Sequence, residues 1–235
     1  MHKICSDIAI VAAMDIELRA FDVILEKVTQ EDSFNIYSSE IANKKITFIV
    51  SGMGQTNVAI ATTHLINHYT PQCLLFSGIA GSFRPRFEIG SIVLGKTARS
   101  LDLYTMYAAH INETCHYGSL PPEIFNANPQ LLELAEQAAS ALNIPFFSGV
   151  LGTSDYFPYP LQMEAILQDI TIDTIDMESS AFYQTCYSYN KPALVIRGIS
   201  NLIHFQEYTL DLTDKVVAAA AMNAARVTTK LISLM

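Results

Sequence analysis

Glu17, Glu178 and Arg197 are the residues whose type and position best suit binding or acid–base chemistry in this chain of 235 residues. Arg197 follows the apolar run 194–196, which predicts a buried strand, and a guanidinium removed from water needs a carboxylate partner. Glu178, at the start of a predicted helix, is the natural partner. Glu17 lies at the start of another predicted helix, just after the apolar run 8–13, where an acid also complements the helix dipole. These charges therefore lie near strand ends, where open α/β sheets bind their ligands.

Small residues follow two other predicted strands. Residues 51–57 read Ser-Gly-Met-Gly-Gln-Thr-Asn, and residues 77–82 read Ser-Gly-Ile-Ala-Gly-Ser. Such glycines let a backbone approach a ligand closely, although a plain tight turn has the same composition. Residues 51–57 lack the third glycine of a dinucleotide fingerprint and the Gly-Lys-Ser/Thr of a P-loop. At 152–157, small polar residues precede two aromatic rings that could stack on a base or pack a loop onto the core.

The elements that must position these residues alternate between strands and helices, which indicates an α/β protein with a largely parallel or mixed sheet. Most strand candidates are continuous apolar runs, as expected for strands covered on both faces. Strands are predicted at residues 8–13, 46–51, 73–77, 89–96, 147–153 and 193–199. Helices are predicted at residues 15–25, 55–69, 129–142, 160–169, 178–189 and 212–234. Residues 100–125 have no clean period and are interpreted as a long functional or interface loop.

Composition narrows the class of protein. Half of the residues are hydrophobic and no linker or repeat divides the chain, so residues 1–235 are predicted to form one domain. A formal charge of −9 argues against nucleic acid, and no apolar run reaches the ~20 residues that a bilayer requires. The four cysteines lack paired spacing, which favours reduced thiols and a cytoplasmic location. The six histidines form no ligand-spaced cluster, so no metal site is predicted.

Taken in order, these segments resemble the purine nucleoside phosphorylase/nucleosidase superfamily, and most closely its methylthioadenosine/S-adenosylhomocysteine nucleosidases, from residue 8 to the C-terminal helix. The resemblance implies a single-domain, three-layer α/β/α fold around a mixed, mostly parallel twisted sheet. It also implies a small-molecule purine nucleoside and water as reactants, no cofactor, and a homodimer. Residues 100–125 and the turn around Met53 fall where family members build the dimer interface and the pocket for the 5′-substituent.

The resemblance assigns roles residue by residue. Glu17 falls where nucleosidases place the carboxylate that activates the attacking water, and Glu178 matches the glutamate of the "-EMEA-" motif that accepts hydrogen bonds from the ribose hydroxyls. Arg197 matches the arginine three residues before the "-SD-" pair that addresses purine N7, and Ser200-Asn201 matches that pair. The implied catalytic residues are thus Glu17, Glu178, Arg197 and Asn201. The implied substrate-binding residues are Met14, Met53, Ala80, Gly81, Phe157, Met177 and Ser200.

Hydrolysis is favoured over phosphorolysis at the predicted third strand. Phosphorylases of the superfamily carry a cation, typically an arginine, just before the glycine turn of this strand. Here Phe76 stands in that stretch, and a phosphate dianion beside it would be uncompensated, at a cost of several kcal/mol. Arg84 and Arg86 lie a few residues beyond and could serve phosphate only if the loop folded back.

Two departures from the nucleosidases bear on the base. Asn201 stands where adenine-specific nucleosidases carry an aspartic acid, and an amide is no general acid, although it can donate to N7 or engage a 6-oxo group. The run Arg-Gly-Ile-Ser-Asn at 197–201 is similar to that of futalosine hydrolases, which release hypoxanthine in a menaquinone pathway. Pro158 removes a backbone N–H at about the position that recognises adenine N1.

The sequence therefore predicts release of hypoxanthine from a 5′-modified nucleoside such as futalosine. Release of adenine from methylthioadenosine or S-adenosylhomocysteine is the alternative. A third possibility is a non-catalytic nucleoside-binding protein in which Asn201 reflects loss of the acid, although retention of buried Glu17, Glu178 and Arg197 argues against it.

Overall fold

Strands and helices alternate along the chain in a computed structural model that describes residues 5–23, 25–31, 34–83, 87–102, 124–156, 171–203 and 213–235. Within these ranges the strands are β1 (Asp7–Ala12), β2 (Glu26–Glu31), β3 (Phe34–Ile41), β4 (Lys44–Val50), β5 (Cys73–Ser82), β6 (Ile92–Ser100), β7 (Ile124–Asn126), β8 (Phe146–Thr153), β9 (Thr174–Asp176) and β10 (Ala193–Leu202). The helices are α1 (Asp15–Arg19), α2 (Gln55–Tyr69), α3 (Pro129–Ala141), α4 (Ser179–Ser188) and α5 (Asp214–Leu234).

The strands form one mixed sheet, part of which closes on itself. The order β10-β6-β8-β9-β5-β1-β4-β3-β2 is joined by a further pairing of β10 with β5, so β5, β9, β8, β6 and β10 make a closed ring. Parallel pairs lie at the centre, where β1 pairs with β4 and β5, and β5 pairs with β10. Antiparallel pairs join β2 to β3 and β3 to β4, and they also occur within the ring. The prediction of a mixed sheet is confirmed, with a larger antiparallel share than expected.

Helices cover both faces of this sheet and give the three predicted layers. On one face α2 packs against α4, while on the other α1 and α3 pack against α5. The central strands are buried almost throughout, as their apolar sequences require for strands covered on both sides. Gly198 lies where a Cβ would come within 2.1 Å of the backbone oxygen of Ala220, so β10 and α5 are in direct backbone contact there.

Two long strands extend beyond their neighbours and carry the predicted site residues. The pairing of β1 with β5 ends at Val11 and Phe76, yet β5 continues to Ser82. The continuation pairs with β10 on one side and with β9 on the other. The prediction that residues 77–82 form a turn is therefore wrong, because two neighbouring strands supply hydrogen bonds to this segment.

Other predicted boundaries also differ from the structure. Helix α1 ends at Arg19 rather than at residue 25, and Phe21 packs its ring edge-on against Phe48 with 5.1 Å between centroids. Strand β10 runs three residues further than predicted, through Asn201 to Leu202. The predicted loop at 100–125 contains the end of β6 and the start of β7, while its central residues 103–123 lie outside the described residues. The predicted helix at 160–169 also lies outside them.

Candidate active site

Arg197 is the central group of the site and is 1% exposed. Its Nη2 lies 3.2 Å from Glu178 Oε2, the partner predicted from the sequence. Its Nη1 donates to the backbone oxygen of Ile79, and both Nε and Nη2 donate to Ser179 Oγ. The guanidinium also lies over the ring of Phe76, 4.1 Å from the centroid, a favourable cation–π contact. A buried cation with this many partners is held in a single orientation.

Glu17 lies near Arg197, and both side chains face Gly78. Its Oε2 accepts hydrogen bonds from the backbone N–H groups of Ala13 at 2.7 Å and Met14 at 3.0 Å. Its Oε1 accepts one from the N–H of Ile79 at 2.9 Å, which fixes α1 to the continuation of β5. The carboxylate is therefore anchored by backbone donors from two elements that are distant in sequence.

Gly78 leaves the space between Glu17 and Arg197 open. A Cβ at this position would lie 2.6 Å from Glu17 Oε1 and 2.7 Å from Arg197 Nη1. Gly78 is paired in register with Arg197, so the strand pairing itself brings the guanidinium next to this glycine. Any larger residue here would displace the carboxylate or the guanidinium.

Glu178 joins α2 to the site. Its Oε1 accepts a hydrogen bond from the N–H of Gly54 at 3.0 Å, just before the first turn of α2. Gly54 has φ of 100° and Gly52 has φ of 83°, a left-handed region that favours glycine, so both glycines are needed for this turn. The predicted functional turn at 51–57 thus contacts a predicted catalytic carboxylate.

Burial and the charge balance shift the protonation of these groups. Burial raises the pKa of Glu178 to about 7, against the lowering effect of Arg197, and the neighbouring charges of Asp176 and Glu17 raise it further. Burial also raises the pKa of Glu17, which Arg197 and the three backbone N–H groups partly offset. Burial alone would lower the pKa of Arg197, but Asp176, Glu178 and Glu17 raise it above its ordinary value, so Arg197 remains a cation.

Ser200 and Asn201 lie at the end of β10 beside the continuation of β5. Asn201 is paired with Gly81 across a β-bulge, and its Nδ2 is 3.0 Å from the point that a Cβ on Gly81 would occupy. Ser200 Oγ donates to Asn201 Oδ1 at 3.0 Å, so the amide oxygen is engaged and the amide NH₂ is the group available for other contacts. Both side chains are buried, at 2% and 9% exposure.

The remaining predicted substrate-binding residues differ in how far they are buried. Ala80 is buried within β5 next to Gly81, while Met14 and Met177 are half-buried and adjoin Glu17 and Glu178 in the chain. Met53 is 57% exposed in the turn before α2. Phe157 and Pro158 lie outside the described residues.

Sequence reasoning missed two groups of contacts. Asp176 accepts hydrogen bonds from two backbone N–H groups and two hydroxyls and lies 3.4 Å from Arg197 Nε. Asp155 and Asp102 hold the start of α2 through Gln55. The two contacts of Gln55 join residues 100 and 47 positions apart, for which periodicity gives no signal. The position of Asp176, two residues before the predicted helix at 178–189, was the available hint.

Within the described ranges, no group of three or more His, Cys, Asp or Glu side chains is arranged to hold a metal ion. No helix in the same part of the chain combines the length and the apolar character needed to cross a membrane.

The fold is that of the nucleoside phosphorylases and nucleosidases, a mixed sheet between helical layers with a charged cluster next to the extended ends of β5 and β10. The family model of the phosphorylase superfamily matches residues 7–233, and the chain belongs to that superfamily. The resemblance inferred from the sequence is confirmed.

Individual relatives are nucleosidases by name. The 5′-methylthioadenosine/S-adenosylhomocysteine nucleosidase of Pseudoalteromonas translucida is 29% identical over 216 residues, which cover 86% of this chain and 89% of that protein. The structure of the corresponding Neisseria meningitidis enzyme in complex with methylthio-immucillin-A has a TM-score of 0.82 at 24% identity, and covers 98% of this chain and 100% of that one. The native structure of Helicobacter pylori futalosine hydrolase has a TM-score of 0.84 at 21% identity, with both chains covered completely. At these identities the two structures show a shared fold.

Proposed function

We propose that this protein is an N-glycosyl hydrolase that cleaves a 5′-modified purine nucleoside with water and releases a 6-oxopurine, as in futalosine hydrolysis. The observation that carries the proposal is the buried cluster of Glu17, Glu178 and Arg197 around Gly78 in a chain of the phosphorylase superfamily. Names of the relatives support the hydrolase class.

The cluster suits the charge that develops during glycosidic cleavage. Breaking the C–N bond places positive charge on the ribose and negative charge on the leaving base, so an enzyme must stabilise both. Glu17 and Glu178 supply negative charge for the ribose side, and Glu178 also accepts hydrogen bonds from ribose hydroxyls. Glu17 Oε1 and Arg197 Nη1 both face Gly78, 2.6 and 2.7 Å from the position that a Cβ there would occupy, so a single water bound next to the two groups would contact both. With its raised pKa, Glu17 is a suitable general base for that water.

The same charges disfavour phosphate as the nucleophile. In the part of the chain that the structure describes, Arg197 is the cation of the cluster, and Glu178, Asp176 and Ser179 already engage it. A phosphate dianion placed beside Arg197 would face two or more carboxylates, while the guanidinium is already engaged by its own partners. Water, which is neutral, carries no such penalty.

Asn201 supports the choice of base. Because its oxygen accepts from Ser200 Oγ, its NH₂ group is oriented to donate, and N7 and O6 of a 6-oxopurine are both acceptors. Adenine presents an amino group at C6, which donates and would compete with the same NH₂. An aspartic acid could protonate N7 of adenine, whereas asparagine cannot.

Adenine release remains the second candidate, because the relatives at 28–29% identity are named methylthioadenosine/S-adenosylhomocysteine nucleosidases. The test is incubation of the purified protein with futalosine, inosine, methylthioadenosine and S-adenosylhomocysteine, with and without phosphate. We expect hypoxanthine, free sugar rather than sugar phosphate, and no dependence on phosphate. The N201D variant should gain adenine release relative to hypoxanthine release.

The other possible products distinguish the remaining functions. Adenine as the only base released by the wild type would contradict the 6-oxopurine proposal and leave the hydrolase intact. Nucleoside binding without release of any base would support a non-catalytic binding protein instead. Formation of a ribose 1-phosphate would contradict hydrolysis.

We further propose a cytoplasmic homodimer. Met53, in the turn before α2, and Ile60, on α2, are exposed and offer apolar surface for a second copy. Cys5, Cys73 and Cys186 are buried free thiols, which agrees with a reducing compartment.

A further inference from the structure

Ser179 lies at a branch point between the charged groups of the site. Its Oγ accepts hydrogen bonds from Arg197 Nε at 3.2 Å and from Arg197 Nη2 at 3.1 Å. It donates its own proton to Asp176 Oδ2 at 2.5 Å. The residue is fully buried, so water does not compete for these contacts.

Asp176 determines which way the Ser179 hydroxyl points. Its Oδ1 accepts from the N–H of Glu178 and of Ser179, and from Thr153 Oγ1 at 2.9 Å. Its Oδ2 is left to accept from Ser179 Oγ, so the lone pairs of that hydroxyl face the guanidinium. A hydroxyl has one proton, and a carboxylate that takes this proton turns the serine into a pure acceptor toward Arg197.

The five N–H groups of Arg197 can then be accounted for. The single N–H on Nε and one N–H on Nη2 donate to Ser179 Oγ. The other N–H on Nη2 donates to Glu178 Oε2, and one N–H on Nη1 donates to the backbone oxygen of Ile79. One hydrogen remains on Nη1, the Arg197 atom that lies 2.7 Å from the position that a Cβ on Gly78 would occupy. If Ser179 did not hold the edge of the guanidinium formed by Nε and Nη2, rotation about the Cδ–Nε bond would move this hydrogen away from Glu17.

We propose that Ser179, oriented by Asp176, is a positioning residue that fixes Arg197 for its contacts with Glu178 and with the attacking water. The inference rests on the proposed hydrolase function. Neither Ser179 nor Asp176 touches the reacting atoms; both act through Arg197.

Two substitutions remove the positioning in different ways. S179A deletes the acceptor for two N–H groups. D176N is isosteric, and because its oxygen must replace Oδ1, its NH₂ takes the place of Oδ2 and donates toward Ser179 and Arg197. Either change should lower kcat by about ten- to hundredfold, since small misplacements of a catalytic group have effects of this size. We expect kcat to fall more than KM rises.

T153V is the matched control. Thr153 Oγ1 donates to Asp176 and accepts from the N–H of Ser180, so this variant disturbs the same buried network without touching Arg197. A merely structural role for the network predicts that T153V and S179A both lose thermal stability and keep their kcat. The positioning role predicts that T153V keeps kcat within about twofold, whereas S179A does not.

A second measurement does not depend on activity. The Nε–H of buried Arg197 should give a slowly exchanging NMR signal, assigned by its absence in R197K. We expect S179A and D176N to accelerate its exchange by at least about tenfold, and T153V to leave it unchanged. An unchanged signal in S179A, or unchanged kcat in both variants, would overturn the positioning role. If S179A fails to fold, D176N decides. If the wild type hydrolyses no purine nucleoside, the proposed function fails, and the exchange rates still decide whether Ser179 holds Arg197.

Discussion

Three buried carboxylates share one guanidinium in the site, and this imbalance governs how the residues ionise. Glu17, Glu178 and Asp176 all act on Arg197, and the pKa of both glutamates is raised, chiefly by burial. In the proposed hydrolysis, Glu178 must be ionised to accept hydrogen bonds from both ribose hydroxyls, and Glu17 must be ionised to act as a base. Protonation of either group should therefore reduce activity.

The pH profile of the wild type should show this directly. With the pKa of Glu178 at about 7, we expect kcat/KM to fall below pH ~7 by about tenfold for each pH unit, because a shrinking fraction of the free enzyme carries the ionised form. Protonation of either Glu17 or Glu178 lowers activity. The fall in kcat/KM at low pH therefore reports apparent pKa values of the two glutamates together. Steady-state rates from pH 5 to 9 provide the measurement.

E178Q is the matched variant for this prediction. It keeps an acceptor oxygen but cannot ionise, so kcat/KM should fall by about ten- to hundredfold, as expected for loss of a charge-assisted hydrogen bond. The remaining acid limb should reflect Glu17 alone. A wild-type profile that stays flat between pH 5 and 8 would contradict the raised pKa of Glu178.

The sequence allowed the charged residues to be found because burial of a charge is itself informative. Arg197 stands in an apolar strand, and the need for a carboxylate pointed to Glu178, which the structure places 3.2 Å away. The role of Asp176 could not be predicted, since it depends on the direction of one hydroxyl on Ser179. Gly78 was noted as a small residue, but its position opposite Arg197 follows only from strand register.

The long apolar helices and strands were predictable from the sequence, whereas the strands at one edge of the sheet were not. Helix α2 was predicted with its observed bounds, and the centre of β10 was identified from its apolar run. Strands β2 and β3 were missed because their sequences are largely polar, as expected for strands at the edge of a sheet. The hairpin from β3 to β4 turns through Ala42 and Asn43, both with positive φ, and alanine there gives no turn signal.

Helix α2 illustrates an element whose start depends on residues far away in the chain. It has no capping side chain of its own, and the N–H of Gln55 donates instead to Asp155 Oδ1 at 2.8 Å. Asp102 Oδ2 in turn accepts from Gln55 Nε2 and from the N–H of Asp155. The adjoining Gly54 contacts Glu178, so the same turn serves both the helix and the site.

We expect D155A to destabilise this turn. Loss of a cap acceptor costs about 0.5–2 kcal/mol, so the thermal midpoint should fall by a few degrees. KM should rise because Gly54 no longer holds Glu178 firmly. D155N keeps an acceptor oxygen and should behave nearly as the wild type. If D155N and D155A were equally impaired, the negative charge rather than the hydrogen bond would be the important property.

At the scale of the whole molecule, the exposed apolar side chains suggest where a second copy binds. Ile60 on α2 is 53% exposed, and Met222 on α5 is 52% exposed on the opposite face. We expect light scattering to give about twice the chain mass of 26.0 kDa. I60D should reduce that mass toward the monomer by burying a charge at the interface, whereas M222D should leave it unchanged. A wild-type mass near 26.0 kDa would contradict the dimer.

The closed ring of strands has a consequence for how the chain reaches its active form. Residues of β5 pair with residues of β10 about 120 positions later, and this pairing sets Gly78 opposite Arg197. Contacts so distant in sequence are slow to form, and a chain leaving the ribosome can make them only after residue 202 has emerged. Until then Glu17 and Glu178 belong to separate segments and lack their common cation. Catalytic competence should therefore arise in one late step, when the last strand joins the ring, rather than gradually during synthesis.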